Sequence, residues 1–340
     1  MSEGKRQLAM VFDINKCMGC HTCTVACKLL WANSKGMDHI WYMKVNSLPG
    51  RGYPKDWEKM GGGYDSQGKL ELGKRPDEKD YGGSWEFNYQ EVFYGGKGQK
   101  THLAPKNHPD WGPNWEEDLG GGEFPNSYLF YLPRLCNHCS RPACAEACSR
   151  GAIVKRDTDG IVTIQTPVCA GCSAPLCINA CPYKEVYFNP VMNMAQKCDA
   201  CLMRIEKGVA PACVRQCPGR MVWIDFMDNT DGMVYKLVKK WQVALPLHAE
   251  FGTEPNIFYV PPLAPPKIDK DSRPDYTQPR IPLDYLQSLF GKNCPGALET
   301  LQAEMSKRKA KQESELMDIL VARQWKSLLG PYGRDPSEVR

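Results

Sequence analysis

The chain has 340 residues, 42% of them hydrophobic, with 43 basic and 39 acidic side chains and a net charge of +4. That is enough apolar material for two ordinary domains or one domain with large insertions, and the even charge balance, with no long block of one sign, makes nucleic acid no default partner. No apolar run approaches the roughly 18 residues of a membrane-spanning helix, and Met1–Met10 reads as a polar start without the cleavage site of a secretory signal.

Leu8–Phe12 is a short, strand-like apolar run. Directly after it come Cys17, Cys20, Cys23 and Cys27, spaced C-x2-C-x2-C-x3-C. Residues 31–130 hold no cysteine, are rich in Gly, Trp and Tyr, and are punctuated by Gly61–Gly63 and Gly120–Gly122. They read as an irregular covering insertion with few regular elements. A second group, Cys136, Cys139, Cys144 and Cys148, is spaced C-x2-C-x4-C-x3-C. In the gap that follows, Ala152–Ile164 sets two β-rich runs around Asp159-Gly160, a hairpin signal. The third group, Cys169, Cys172, Cys177 and Cys181, repeats that spacing and precedes Pro182. The fourth, Cys198, Cys201, Cys213 and Cys217, is spaced C-x2-C-x11-C-x3-C and precedes Pro218. Another strand-like run, Met221–Phe226, is placed to pair with Leu8–Phe12.

After Asp228 the character changes. Tyr259–Pro266 is a proline-rich extended segment, and Pro295–Leu329 is mostly helix-forming, with Lys307–Lys309 and Lys311 at its polar middle. A tail this long is not expected to share a small core, so residues 229–340 read as an extended C-terminal arm that wraps a partner. Cys294, the seventeenth cysteine, stands alone in the turn-forming stretch Gly291–Gly296 and reads as an unliganded thiol.

Soft thiolates that converge on one small volume suit iron–sulfur cubanes, and a C-x2-C-x2-C loop curls so that its sulfurs point inward. The cysteine three residues further on, often before proline, ligates the other cluster of a pair. Zinc ribbons also use C-x2-C pairs but do not need that further cysteine. Disulfides fit less well still, because cysteines three apart in a tight loop are poorly placed to bridge one another. The hairpin between the second and third groups marks them as one module, and the first and fourth groups then form the other by elimination. The expected class is α+β: an outer ferredoxin-like module (1–30 plus 190–228), a long insertion (31–130), a nested inner module (131–189) and the arm (229–340). By the cross-over rule the expected ligand sets are Cys17, Cys20, Cys23 and Cys217; Cys27, Cys198, Cys201 and Cys213; Cys136, Cys139, Cys144 and Cys181; and Cys148, Cys169, Cys172 and Cys177. His21, His39, His102, His108, His138 and His248 are scattered and compose no catalytic constellation; His21 and His138 sit inside cysteine loops, where packing or hydrogen bonding is expected.

Phe12–Lys28, Tyr131–Cys139, Cys181–Lys184 with Tyr187–Pro190, and Arg204–Gly208 resemble the β subunit of type II molybdoenzymes of the dimethyl sulfoxide reductase family. That group spans nitrate, perchlorate, selenate and chlorate reductases and the dimethyl sulfide and ethylbenzene dehydrogenases. Val243–His248, Tyr259–Pro266, Ser314–Leu320 and Asp335–Val339 most resemble the ethylbenzene dehydrogenase and perchlorate reductase branch. The resemblance implies a non-catalytic electron-transfer subunit between a molybdenum bis-pterin catalytic α subunit and a haem b γ subunit, in a dehydrogenase or in a terminal reductase. It also implies a periplasmic complex whose β subunit is exported together with α, the alternative being the cytoplasmic face of the membrane. One departure stands out. Members commonly carry Trp, His or Tyr where this chain has Cys172, and in nitrate reductase that loop holds a three-iron cluster. Four [4Fe-4S] clusters are therefore expected here, the alternative being a [3Fe-4S] centre on Cys148, Cys169 and Cys177.

Overall fold

The computed structural model describes residues 6–82, 88, 90–94, 102, 104 and 119–339. Residues 1–5, His108 and much of the predicted insertion lie outside them.

Strand β1 (Leu8–Asp13) is buried at all six positions, as a continuous apolar run must be when both faces are covered. It pairs antiparallel with β8 (Val222–Phe226), Met10 opposite Ile224, as the two apolar runs predict. Its other edge was not foreseen. There it pairs in parallel with β10 (Ile257–Val260), Phe12 opposite Tyr259, and β10 in turn pairs with the short β9 (Leu245–Pro246). The sheet order is β8-β1-β10-β9, so half of its strands come from beyond Asp228.

The alternation of side chains along β1 divides the interior in two. Met10 and Phe12 face a core that contains the buried cysteines of all four groups, whereas Ala9 and Val11 face a second core with Trp223, Leu237 and Val260. Three C-terminal helices close these cores. Helix α2 (Leu283–Phe290) and the start of α3 (Cys294–Lys309) bury Leu286, Phe290 and Cys294 on the cysteine side; Leu301 of α3 and Leu316 and Leu320 of α4 (Glu315–Val321) fill the other. The segment 229–340, read as an extended arm, supplies these helices and two strands of the sheet. Its apolar positions recur at helical spacing, and that face is satisfied within the chain. Cys294 lies in the first turn of α3, fully buried, rather than in a turn.

The insertion also holds more regular structure than its composition suggests. Strand β2 (Met43–Leu48) pairs along its whole length with β3 (Phe130–Leu135), Met43 opposite Leu135 and Leu48 opposite Phe130. Lys44, Asn46 and Ser47 break the apolar pattern in sequence, yet all are buried. The Lys44 ammonium is 2.5 Å from the Glu185 carboxylate and donates to the Tyr187 hydroxyl at 2.8 Å.

Two hairpins lie between the cysteine groups. β4 (Ile153–Lys155) pairs with β5 (Val162–Ile164), and β6 (Val186–Asn189) with β7 (Met194–Lys197). Gly160 takes a φ of +71° in the first hairpin, and a Cβ there would meet the Gln7 side chain at 2.3 Å. The Asp-Gly signal therefore marks a true glycine requirement. Among the described residues no helix is long and apolar enough to cross a membrane.

Candidate metal centres

All seventeen cysteines are free thiols. The first group begins where a turn of 3-10 helix (Ile14–Lys16) ends at Cys17, passes Gly19 and enters helix α1 (Thr22–Trp31), which carries Cys23 and Cys27. Gly19 has a φ of +65° and lies against the Tyr131 ring, where a Cβ would sit 2.6 Å from the ring carbons. Only glycine lets the loop turn this closely over the aromatic. Cys23 and Cys27 are one helical turn apart, but the tilt of the helix sends their sulfurs to different neighbours. Cys17, Cys20 and Cys23 line a small cavity together with Cys217, from the far end of the cysteine sequence. Phe12, Met43, Val45 and Met221 supply apolar walls. Cys213 also reaches this cavity, although it stands in the spacing as a ligand of the neighbouring centre.

A second small cavity is lined by Cys136, Cys139, Cys144 and Cys181. Cys27, Cys198 and Cys213 each feel the charge of Cys201, and Cys177 feels those of Cys148, Cys169 and Cys172. Two larger cavities, beside His39 and Tyr81 and beneath α3, have no cysteine in their walls.

Burial followed by mutual repulsion makes these thiols reluctant to ionise. Burial pushes Cys23 and Cys177 up to about 12, with neighbouring cysteines adding to the shift. Cys27, Cys144, Cys198 and Cys213 are raised for the same reasons. Thiolates in such surroundings need cations among them, which bound metal supplies. Donors to sulfur are already in place. The Trp31 indole N–H donates to the Cys201 Sγ at 3.0 Å, and the backbone N–H groups of Ala152, Glu185 and Ala200 reach the Sγ of Cys148, Cys181 and Cys198 at 3.3, 3.5 and 3.3 Å.

The donor set suits a polynuclear sulfide better than a single ion. Five thiols line the first cavity, more than the roughly four that one metal ion commonly takes, and four line the second. His138 adds a second indication. Its Nδ1 accepts the Val162 N–H at 3.1 Å, which assigns the ring proton to Nε2, and Nε2 is buried with no protein partner. Burial lowers its pKa well below the ordinary imidazole value, so the ring is neutral. A buried N–H lacking an acceptor in the cysteine loop fits a group that carries sulfur acceptors of its own.

His21 lines the first cavity, and two other histidines hold structural contacts. His39 Nε2 meets the Phe188 carbonyl at 3.1 Å, and His248 bridges Glu58 and Glu250 at 2.9 and 2.7 Å. Two neighbours of the thiols went unread in the sequence. Trp31 lies one helical turn beyond Cys27, a spacing that could have drawn attention to it. Lys197 precedes Cys198 and is buried, its ammonium 3.7 Å from the Cys136 Sγ; nothing local signals that reach.

Folded loops of inward-facing thiols in an apolar interior, with N–H groups directed at sulfur, define an iron–sulfur protein with ferredoxin-like elements. Consistent with this, residues 127–226 match the 4Fe-4S dicluster domain family. The chain is 52% identical to the selenate reductase subunit beta of Thauera selenatis and 50% identical to the dimethylsulfide dehydrogenase subunit beta of Rhodovulum sulfidophilum, in each case over 93% of this chain and 96% of the relative. It is 32% identical to the respiratory nitrate reductase 1 beta chain of Escherichia coli, over 84% of this chain and 76% of that one. The chain belongs to the iron–sulfur β-subunit family of the type II molybdoenzymes.

Proposed function

We propose that this subunit passes single electrons along four [4Fe-4S] clusters between a molybdenum catalytic α subunit and a haem b γ subunit or other redox partner. The observation that supports the reading is that Cys17, Cys20, Cys23 and Cys217 line one cavity and Cys136, Cys139, Cys144 and Cys181 another, in each case three cysteines of one group with the last cysteine of another. The proposed ligands are Cys17, Cys20, Cys23 and Cys217; Cys27, Cys198, Cys201 and Cys213; Cys136, Cys139, Cys144 and Cys181; and Cys148, Cys169, Cys172 and Cys177. In this nested arrangement the first and fourth groups form the outer module and the second and third the inner one. The pairing of β1 with β8 and the β4–β5 hairpin support it.

When bound, the clusters supply one-electron oxidation and reduction. The protein's own part is to hold thiolates, exclude water and direct N–H groups at sulfur, levers that set potential. At position 172 the chain carries a fourth thiol of the C-x2-C-x4-C-x3-C group, which supports a fourth ligand and hence a complete cubane. The α partner follows from membership of the β-subunit family. The γ partner and a periplasmic site reached by joint export with α extend the same reading. Relatives named as reductases and as a dehydrogenase are about equally similar to this chain, so the direction of electron flow follows the catalytic subunit encoded beside it.

Iron and acid-labile sulfide analysis of the purified complex tests the cluster content, together with electron paramagnetic resonance of the oxidised protein. Stoichiometric iron and sulfide with no three-iron signal is expected, and Cys172→Ser is expected to generate that signal alone. A [3Fe-4S]⁺ signal near one spin per molecule in undamaged wild-type protein would overturn the fourth cubane; zinc without sulfide would overturn the whole reading.

A further inference from the structure

Lys197 ends β7, immediately before Cys198, and is buried. Its Nζ donates to the Cys198 carbonyl oxygen at 2.7 Å and to the Val162 carbonyl oxygen, and lies 3.7 Å from the Cys136 Sγ. An ammonium has three N–H donors and no acceptor. All three contacts here are acceptors, so the geometry uses the full donor set of the charged form.

A buried cation is costly unless opposite charge compensates it. The partners in contact with Lys197 are two carbonyls and the sulfur of a proposed cluster ligand. The residue therefore joins three elements: the second cysteine loop through Cys136, hairpin strand β5 through Val162, and the fourth cysteine loop through Cys198. In the proposed ligand sets Cys136 and Cys198 belong to different centres in different modules.

We infer that the Lys197 ammonium is a shared electrostatic anchor that raises the reduction potentials of the two centres on either side of it, and so keeps them matched where electrons cross between modules. The inference rests on the four-cluster reading. A thiolate-ligated centre becomes more negative on gaining an electron, and a fixed cation in a medium of low dielectric favours that reduced form. One charge in contact with both ligand loops acts on both centres at once. The centres holding Cys17 and Cys169 have no ligand in contact with Lys197 and lie outside its immediate reach.

The test is a redox titration of the intact complex followed by electron paramagnetic resonance, comparing wild type with Lys197→Met, Lys197→Gln and Lys197→Arg. The wild-type iron and sulfide content decides the cluster reading by itself, before any variant is compared. In the two neutral variants, two of the four centres are expected to become at least tenfold harder to reduce, a fall of about 59 mV for a one-electron couple. The other two centres are expected to change less than threefold, and Lys197→Arg is expected to stay within threefold of wild type throughout. Unchanged potentials, an equal shift of all four centres, or an Arg variant that shifts as far as Met would overturn the inference. Should both neutral variants lose iron while the Arg variant keeps its full complement, the charge is needed for the centre to assemble, which also supports the inference. Loss of iron from all three variants would make Lys197 a packing residue and overturn it.

Discussion

Trp31 places its indole N–H 3.0 Å from the Cys201 sulfur. Such a bond strengthens as negative charge accumulates on the sulfur, so it favours the reduced centre. Trp31→Phe keeps most of the packing and removes the donor. The centre that includes Cys201 is expected to fall in potential by a few tens of millivolts, less than the ~59 mV of a tenfold change, with the other three unmoved. A spectroelectrochemical titration reads this directly, and an unchanged potential would assign Trp31 to packing alone. The expected shift is smaller than that for Lys197 because a neutral donor is replaced rather than a full charge. The backbone N–H groups at Cys148, Cys181 and Cys198 act by the same mechanism but cannot be removed by substitution, which makes Trp31 the accessible test.

At the scale of elements, buried polar contacts tie the insertion to the cysteine modules. Glu185, just before β6, accepts from Lys44 of β2, and its carboxylate lies 3.4 Å from the Arg134 guanidinium of β3. Arg134 also stacks 3.5 Å over the Trp57 ring and donates to the Tyr183 carbonyl at 2.7 Å. Glu185→Gln retains the shape but leaves two buried cations without their anion. A loss of about 3–5 kcal/mol is expected, seen as a lower temperature of cluster release and unfolding. By contrast, the Arg6–Asp228 pair joins side chains that are 45% and 52% exposed. Arg6→Gln is expected to cost less than about 1 kcal/mol, because water screens the pair. Similar losses in the two variants would contradict the assignment of the first network to the interior.

For the molecule as a whole, the C-terminal third is part of the folding unit. Removing it would expose the free edge of β1, delete β10 and β9, and empty much of the second core. A chain ended at Asp228 is therefore expected to be insoluble or cluster-free, whether or not its partner is present. Recovery of a soluble, cluster-replete truncated protein would show that the segment serves the partner instead. Surface is still left for that partner. Met18, Leu29 and Met203 are each more than 60% exposed, and they flank the first and fourth cysteine groups.

Much of this protein is legible in short stretches of its sequence. Cysteine spacing specifies thiol loops because each loop is closed within a few residues, and Asp159-Gly160 specifies a hairpin because the turn conformation is local. The two apolar runs that become β1 and β8 could be matched because both are continuous and strand-like. Other features depend on residues far apart in the chain and have no local signal. Phe12 lies beside Tyr259 in parallel register, a pairing that no turn enforces. Lys44 looks like a surface residue until Glu185 and Tyr187 are folded against it. Lys197 adjoins its own cysteine in sequence, yet reaches Cys136 only because β5 and β7 meet in the tertiary structure. Spacing determined that there would be thiol loops; the packing of distant strands decided which thiols face one another and which charge lies between them, because burial and electrostatics act through space rather than along the chain.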